Sequence, residues 1–223
     1  MKMIVFSDLH GNYEALSKML EIEQPAADDL LIFCGDIVGY YYDALEIVGK
    51  LKEFSNIYAI RGNHDQYYIK STKERRLKLS EKYGISHLNP QREVIDYIMQ
   101  LPTHVELEIE RKNILICHGS NEDYLEGRIY PDTEICETEY DLIISGHTHY
   151  QMDRREGKTL YLNPGSLGQP RDKKGFSYCV VEIDDLIEYT FKKVEINIKA
   201  LQKQCLENEG EITFAYKVLE REL

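Results

Sequence analysis

Short apolar runs alternate with amphipathic stretches through the first third of the chain. Met3 to Phe6 reads as a buried strand, and Asn12 to about Ile22 as a helix with Tyr13, Leu16, Met19 and Leu20 on one face. Asp29 to Cys34 is a second apolar run. Ala44 to Phe54 follows as a helix, with Leu45, Val48, Leu51 and Phe54 at helical spacing, and Asn56 to Ile60 as a third strand. This β-α-β-α-β order predicts parallel strands joined by right-handed helical crossovers. Gln66 to about Tyr83 is charged and helix-compatible. Asn89-Pro90 reads as the N-cap and first residue of another helix, stopped at Pro102. Residues 66–101 are therefore expected to be a helical insert, poised to act as a lid.

After Pro102 the period changes to that of strands. Val105 to Glu110 alternates apolar and acidic residues, Lys112-Asn113 is the expected turn, and Ile114 to Cys117 the next strand. Asp141 to Ser145, Tyr150 to Arg155, Thr159 to Leu162, Phe176 to Ile183 and Glu188 to Glu195 complete the expected strands, with Asp184-Asp185 as a hairpin turn. A short helix is expected from Ile198 to Leu206. Residues 210–223 show no clear period. The fold class expected is α/β.

Length and composition narrow the function. A chain of 223 residues with 43% apolar content suits one domain, here 1–223. Its formal charge of −12 opposes a broad nucleic-acid surface or an anionic membrane surface. No apolar run approaches the ~18 residues of a membrane span, and the N-terminus lacks a signal-peptide core. Cys34, Cys117, Cys136, Cys179 and Cys205 are odd in number and contain no C-x-x-C pair. Reduced thiols and a cytoplasmic location are expected, with Cys34, Cys117 and Cys179 buried.

The histidines are not scattered. Each strong apolar run ends in a cluster of metal-ligand types: Asp8-Leu9-His10, Gly35-Asp36, Gly62-Asn63-His64-Asp65, His118-Gly119 and Gly146-His147-Thr148-His149. In open α/β sheets ligands bind beyond the carboxyl ends of the strands. Five such ends would deliver Asp8, His10, Asp36, Asn63, His118, His147 and His149 to one rim. His87 and His104 are left to structural duty. In extended backbone, residues two apart face the same way, so Asp8 and His10 are expected to share an ion, as are His147 and His149. Asp36 can bridge two cations.

Mixed imidazole and oxygen donors suit manganese first, with iron, zinc, nickel or cobalt also accommodated, better than calcium. Two divalent ions with Asp8 and Asp36 leave about +2, or about +1 with a bridging hydroxide, a local charge that attracts phosphate despite the acidic chain. Paired metals also activate water and clamp phosphoryl oxygens during in-line attack.

These motifs resemble the calcineurin-like metallophosphoesterases. Gly35 to Tyr40 (GDIVGY), Asn163-Pro-Gly-Ser166 and Gly168-Gln-Pro-Arg171 resemble the small phosphodiesterases of bacteria and archaea. The resemblance spans about residues 3–184. It implies a four-layer α/β/β/α sandwich with a dimetal centre between two central sheets. It assigns Asp8, His10, Asp36 and His149 to one metal, and Asp36, Asn63, His118 and His147 to the other.

His64 matches the catalytic histidine, a general acid suited to neutral pH, oriented by Asp43 or Asp65. Gly39-Tyr40-Tyr41 stands where protein phosphatases of the superfamily carry D-R-G, which disfavours a protein phosphatase. Arg171 and Ser166 are candidate substrate contacts. Tyr40, Tyr41, Tyr42, Tyr67 and Tyr68 flank the motif loops, where a nucleobase could stack.

The expected function is hydrolysis of phosphodiesters, cyclic nucleotides or dinucleoside polyphosphates among them, by metal-bound hydroxide with His64 as acid. The alternatives are a phosphomonoesterase on the same site and a non-catalytic interaction module on the same fold. The sequence leaves the oligomeric state open.

Overall fold

A computed structural model describes residues 1–70, 74, 91–172 and 174–222 of the chain. Among the described residues, ten strands form two five-stranded sheets. The first sheet contains β1 (Lys2–Phe6), β2 (Leu30–Phe33), β3 (Ile57–Ala59), β9 (Phe176–Ile183) and β10 (Ile187–Val194), in the order β10-β9-β1-β2-β3. The second contains β4 (His104–Ile109), β5 (Lys112–Cys117), β6 (Leu142–Ile144), β7 (Gln151–Glu156) and β8 (Thr159–Pro164), in the order β4-β5-β6-β8-β7. β1, β2 and β3 are parallel, as the β-α-β-α-β pattern requires, with Met3 opposite Leu30 and Leu31 opposite Ile57. β5, β6 and β8 are likewise parallel, so both sheets are mixed.

The period-2 alternation of β1 divides the core. Ile4 and Phe6 face the helices, together with Leu31 and Phe33 of β2, while Met3 and Val5 face the second sheet. There they meet Ile114, Ile116, Leu142, Ile144, Leu160 and Leu162 in a dry inter-sheet layer. Each fully buried aliphatic side chain in such a layer contributes about 1.5–3 kcal/mol.

The helical layer comprises α1 (Tyr13–Glu23), α2 (Ala44–Leu51), α3 (Asn63–Lys70), α4 (Arg92–Gln100), α5 (Ile198–Glu209) and α6 (Phe214–Leu219). Helix α1 starts where Asn12 accepts the Ala15 N–H and ends at left-handed Gln24. Val94 and Ile98 of α4 join the same core as Ile47 and Val48 of α2. The α/β class and the two packed sheets are as expected, but among the described residues helices cover only the first sheet. The layer outside the second sheet is irregular chain, residues 118–141, which covers Leu115, Cys117, Ile143 and Tyr161 with Ile129, Tyr124, Ile135 and Tyr140.

Two local expectations change. The β4–β5 turn falls at Glu110 and Arg111, both at positive φ, because β5 begins at Lys112 rather than after it. Residues 214–219 form α6, capped by the Thr213 side chain, within the stretch that shows no clear period. The expected Asn89-Pro90 cap and most of the charged segment after Lys70 lie outside the described residues. Cys34, Cys117, Cys179 and Cys205 are buried thiols and Cys136 is exposed. No helix among the described residues is long and apolar enough to cross a membrane.

Candidate metal centre and phosphoester site

Five strands end at one edge of the sandwich, and each delivers its cluster there. Asp8 and His10 follow β1, Asp36 follows β2, Asn63 and His64 follow β3, His118 follows β5, and His147 and His149 follow β6. The loops lie against one another through backbone bonds. Asp8, His10 and Gly11 donate to the carbonyls of Gly35, Asp36 and Ile37, and Gly146 donates to that of His118.

The backbone of these loops is not extended. Eight non-glycine residues have positive φ among the described residues, and Asp8, His10, Asp36, His147 and His149 are five of them. A left-handed residue costs roughly 1–2 kcal/mol, and here it turns one side chain after another into a single volume. Asp8 and His10 thus converge by strained turns, not by extended alternation. His147 and His149 do not share a partner set: His149 joins Asp8 and His10, while His147 joins Asn63.

Polar atoms crowd this volume. His149 Nε2 lies 3.1 Å from His10 Nε2 and 3.2 Å from Asp8 Oδ1. His10 Nε2 is 3.7 Å from Asp8 Oδ1 and 3.8 Å from Asp36 Oδ2. His118 Nε2 is 3.3 Å from Asp36 Oδ2 and 3.0 Å from Asn63 Oδ1, which is also 3.0 Å from His147 Nδ1. Asp36 Oδ2 therefore faces both groups of histidines.

Three imidazoles are fixed in one tautomer. Nδ1 of His10, His118 and His149 donates to the carbonyls of Val38, Cys34 and Gln169, at 3.0, 2.7 and 2.6 Å. A carbonyl only accepts, so Nδ1 carries a proton in all three, and in the neutral ring the Nε2 lone pair points inward; His118, beside Asp36, must give up its Nε2 proton to ligate. Each aspartate likewise has one anchored oxygen. Asp8 Oδ2 accepts from the His147 N–H and Asp36 Oδ1 from the His64 N–H, while Asp8 Oδ1 and Asp36 Oδ2 are buried without a hydrogen bond. Inward lone pairs on two nitrogens 3.1 Å apart, beside unpaired carboxylate oxygens, repel one another unless a cation lies among them. Ligand bonds of about 2.0–2.2 Å to a shared ion give ligand–ligand separations of about 3–3.6 Å. The donor set fits divalent metal.

Titration follows the same geometry. Burial alone would raise the carboxyls of Asp8 and Asp36, but the adjacent imidazoles (His149 and His118 at Asp8, His118 and His64 at Asp36) hold both well below their ordinary range. Burial lowers His10, His64 and His147, the last to about 3. Burial also opposes the charged form of His118, yet the Asp36 carboxylate outweighs it and raises that imidazole to about 10.

His64 is half-buried, its ring edge-on to His10 at 4.8 Å and tilted against Tyr40 at 5.6 Å. Neither carboxylate named as its orienting partner serves it. Asp43 accepts from Gln204, and Asp65 accepts from the backbone N–H groups of Asp36, Ile37, Val38 and Gly62. Asp65 is thus the brace between the β2 and β3 loops, a role its place in the motif did not reveal. Two glycines permit the packing, since a Cβ at Gly39 would collide with His10 and one at Gly62 with Asp36.

The other expected contacts divide. Ser166 is fully buried, donates to the Asp8 carbonyl and accepts from the N–H groups of Gly168 and Gln169. Its hydroxyl is saturated by backbone, so the expectation of a substrate contact is corrected to a tie beneath the Asp8–His10 loop. Asn163 similarly pins the His147 loop through the Gly146 carbonyl and Thr148. Arg171 is exposed at the rim, donating to Gln169 Oε1 and, at 3.4 Å, to the Tyr40 hydroxyl. Among the described residues it is paired with no carboxylate. Tyr41 and Tyr68 are buried. Tyr40 is edge-on to His10 at 4.7 Å. His104 stacks on Tyr124 at 4.0 Å, a structural role as expected, and His87 lies outside the described residues.

The domain model of the calcineurin-like phosphoesterase superfamily matches residues 1–186. The chain belongs to this superfamily. It is 30% identical to the protein MJ0912 of Methanocaldococcus jannaschii, over 92% of this chain and 91% of that one. It is 28% identical to the phosphodiesterase MJ0936 of the same organism, over 74% and 83%. Among solved structures, a metallophosphoesterase of Sphaerobacter thermophilus superposes with a TM-score of 0.80 at 25% identity, covering 100% of this chain and 99% of that one. The calcineurin-like phosphoesterase superfamily is metal-dependent, consistent with the donor groups Asp8–His10–His149 and Asp8–Asp36–His118.

Proposed function

We propose that this phosphoesterase hydrolyses small phosphodiesters, nucleotide-derived ones included, with two divalent cations, manganese foremost. The carrying observation is the inward lone pair of His149 Nε2, 3.1 Å from that of His10 and 3.2 Å from the unpaired Asp8 Oδ1. Asp8, His10, Asp36 and His149 would hold one ion; Asp36, Asn63, His118 and His147 the other. When bound, such a pair supplies activation of water and positive charge for phosphoryl oxygens.

The chain's own residues do the rest. The Val38, Cys34 and Gln169 carbonyls keep three imidazoles aimed inward. His64, beside His10 at the rim, gives the leaving oxygen a proton as the ester bond breaks, from the imidazolium fraction that burial makes small near neutral pH. Arg171 lies one hydrogen bond from Tyr40, close enough to receive a phosphate oxygen. The name of the relative MJ0936, phosphodiesterase, supports a diester over a monoester.

The test is reconstitution of metal-free protein with manganese, followed by hydrolysis of bis(4-nitrophenyl) phosphate beside 4-nitrophenyl phosphate. Faster diester cleavage is expected. Absence of metal uptake, full activity in His64→Ala, or preference for the monoester would overturn the reading.

A further inference from the structure

The C-terminal helix α6 lies beyond residues 1–186 matched by the superfamily domain, yet it returns to the metal edge. Its first residue, Phe214, packs its ring 6.0 Å from that of Tyr40 while remaining 48% exposed. Tyr40 itself is only 5% exposed, because His10, His64 and Phe214 surround it. An aromatic series therefore runs from the imidazoles outward to an uncovered phenyl ring. Arg171 meets the same Tyr40 at its hydroxyl.

Thr213 fixes Phe214 in place by accepting the Tyr216 N–H as the helix cap, and Ala215, Val218 and Leu219 bury the opposite face of α6. An exposed phenylalanine beside a phosphoester site, sharing Tyr40 with an arginine free of any carboxylate among the described residues, is a platform for a planar ring. The phosphate would lie toward the histidines and the ring attached to it would lie outward.

We propose that Phe214, seated on Tyr40, is the specificity-determining platform for a nucleobase, so that the preferred substrates are phosphodiesters of nucleosides rather than of small alkyl alcohols. This rests on the phosphodiesterase reading above. Stacking of a base on an aromatic side chain is sequence-tolerant, so purine and pyrimidine esters should both be accepted.

The test compares two esters with the same leaving group, thymidine 5′-(4-nitrophenyl) phosphate and methyl 4-nitrophenyl phosphate, on manganese-loaded protein. Phe214→Ala should lower the nucleoside-over-methyl preference in kcat/KM by about five- to thirtyfold, chiefly through KM. Phe214→Trp should preserve it, and Leu186→Ala, a distant exposed residue, should leave both rates alone. Equal loss on both esters, or no loss on either, overturns the proposal.

A binding readout separates this from failure of the catalytic reading. The chain has no tryptophan, so Phe214→Trp introduces a single indole fluorophore. Quenching of it by AMP but not by inorganic phosphate supports the platform even if neither ester is cleaved. Equal response to both, or none, refutes it.

Discussion

Asp65 offers a sharp test of how the site is held. The side chain is fully buried, and its two oxygens accept four backbone N–H groups: Asp36 and Gly62 on Oδ2 at 2.9 and 3.0 Å, Ile37 and Val38 on Oδ1 at 2.9 and 3.1 Å. Asp65→Ala strands all four donors. Each buried donor left without a partner costs about 1–3 kcal/mol. Relaxation of the loops and entry of water make the four penalties less than additive, so a loss of about 3–6 kcal/mol is expected.

Asp65→Asn is no remedy. Its amide oxygen can serve Ile37 and Val38, but its NH2 then faces the N–H groups of Asp36 and Gly62, donor against donor. A loss of about 2–4 kcal/mol is expected. Because the same bonds place Asp36 and Asn63, manganese affinity should fall in both variants. Urea unfolding of the metal-free proteins gives the stability change, and calorimetric titration gives the affinity. Stability within about 0.5 kcal/mol of wild type, with unchanged affinity, would refute the brace.

Other predictions are more local. His64→Ala should lower diester kcat by about 10²–10⁴-fold with manganese stoichiometry unchanged, as measured by elemental analysis beside steady-state kinetics. Gly39→Ala should weaken manganese binding by about 10–100-fold, because the added methyl displaces the His10 ring; calorimetry checks this. Glu23 accepts from Tyr178 at 2.6 Å and from Lys192 at 2.8 Å. Its burial is outweighed by those partners, which hold its carboxyl below the ordinary 4.5. Its contribution is therefore present above that value and lost as pH falls through the lower folded-state value. Glu23→Gln should cost about 1–2 kcal/mol near pH 7 and flatten the acid limb of stability against pH.

The strands and the ligand clusters were legible because one physical fact ties them together. Apolar runs such as Met3–Phe6 and Ile114–Cys117 must be buried strands, and a polar cluster at the end of each must emerge at a sheet edge. The conformation inside the clusters was not legible. Extended alternation would have paired His147 with His149, but positive φ at both turns them to different neighbours; aspartate and histidine enter the left-handed region more readily than most residues, yet nothing local marks which of them does so.

Ser166 misled for a related reason. A serine in a small-residue turn beside the site can face either outward or into the backbone, and the Asp8 carbonyl and two N–H groups decide for the latter. Asp65 was hidden because three of its four partners, the N–H groups of Asp36, Ile37 and Val38, are backbone groups far along the chain. Helix α6 was hidden because six residues are too few to establish a period, and tertiary burial of Ala215, Val218 and Leu219 stabilises it.

The most direct measurement of the central claim is the rate of bis(4-nitrophenyl) phosphate hydrolysis as manganese is titrated into metal-free protein. A rise from background to a plateau at two equivalents per chain is the predicted result. A rate that stays at background, or saturates at one equivalent, would contradict a paired-metal phosphodiesterase built on Asp8, His10, Asp36, Asn63, His118, His147 and His149.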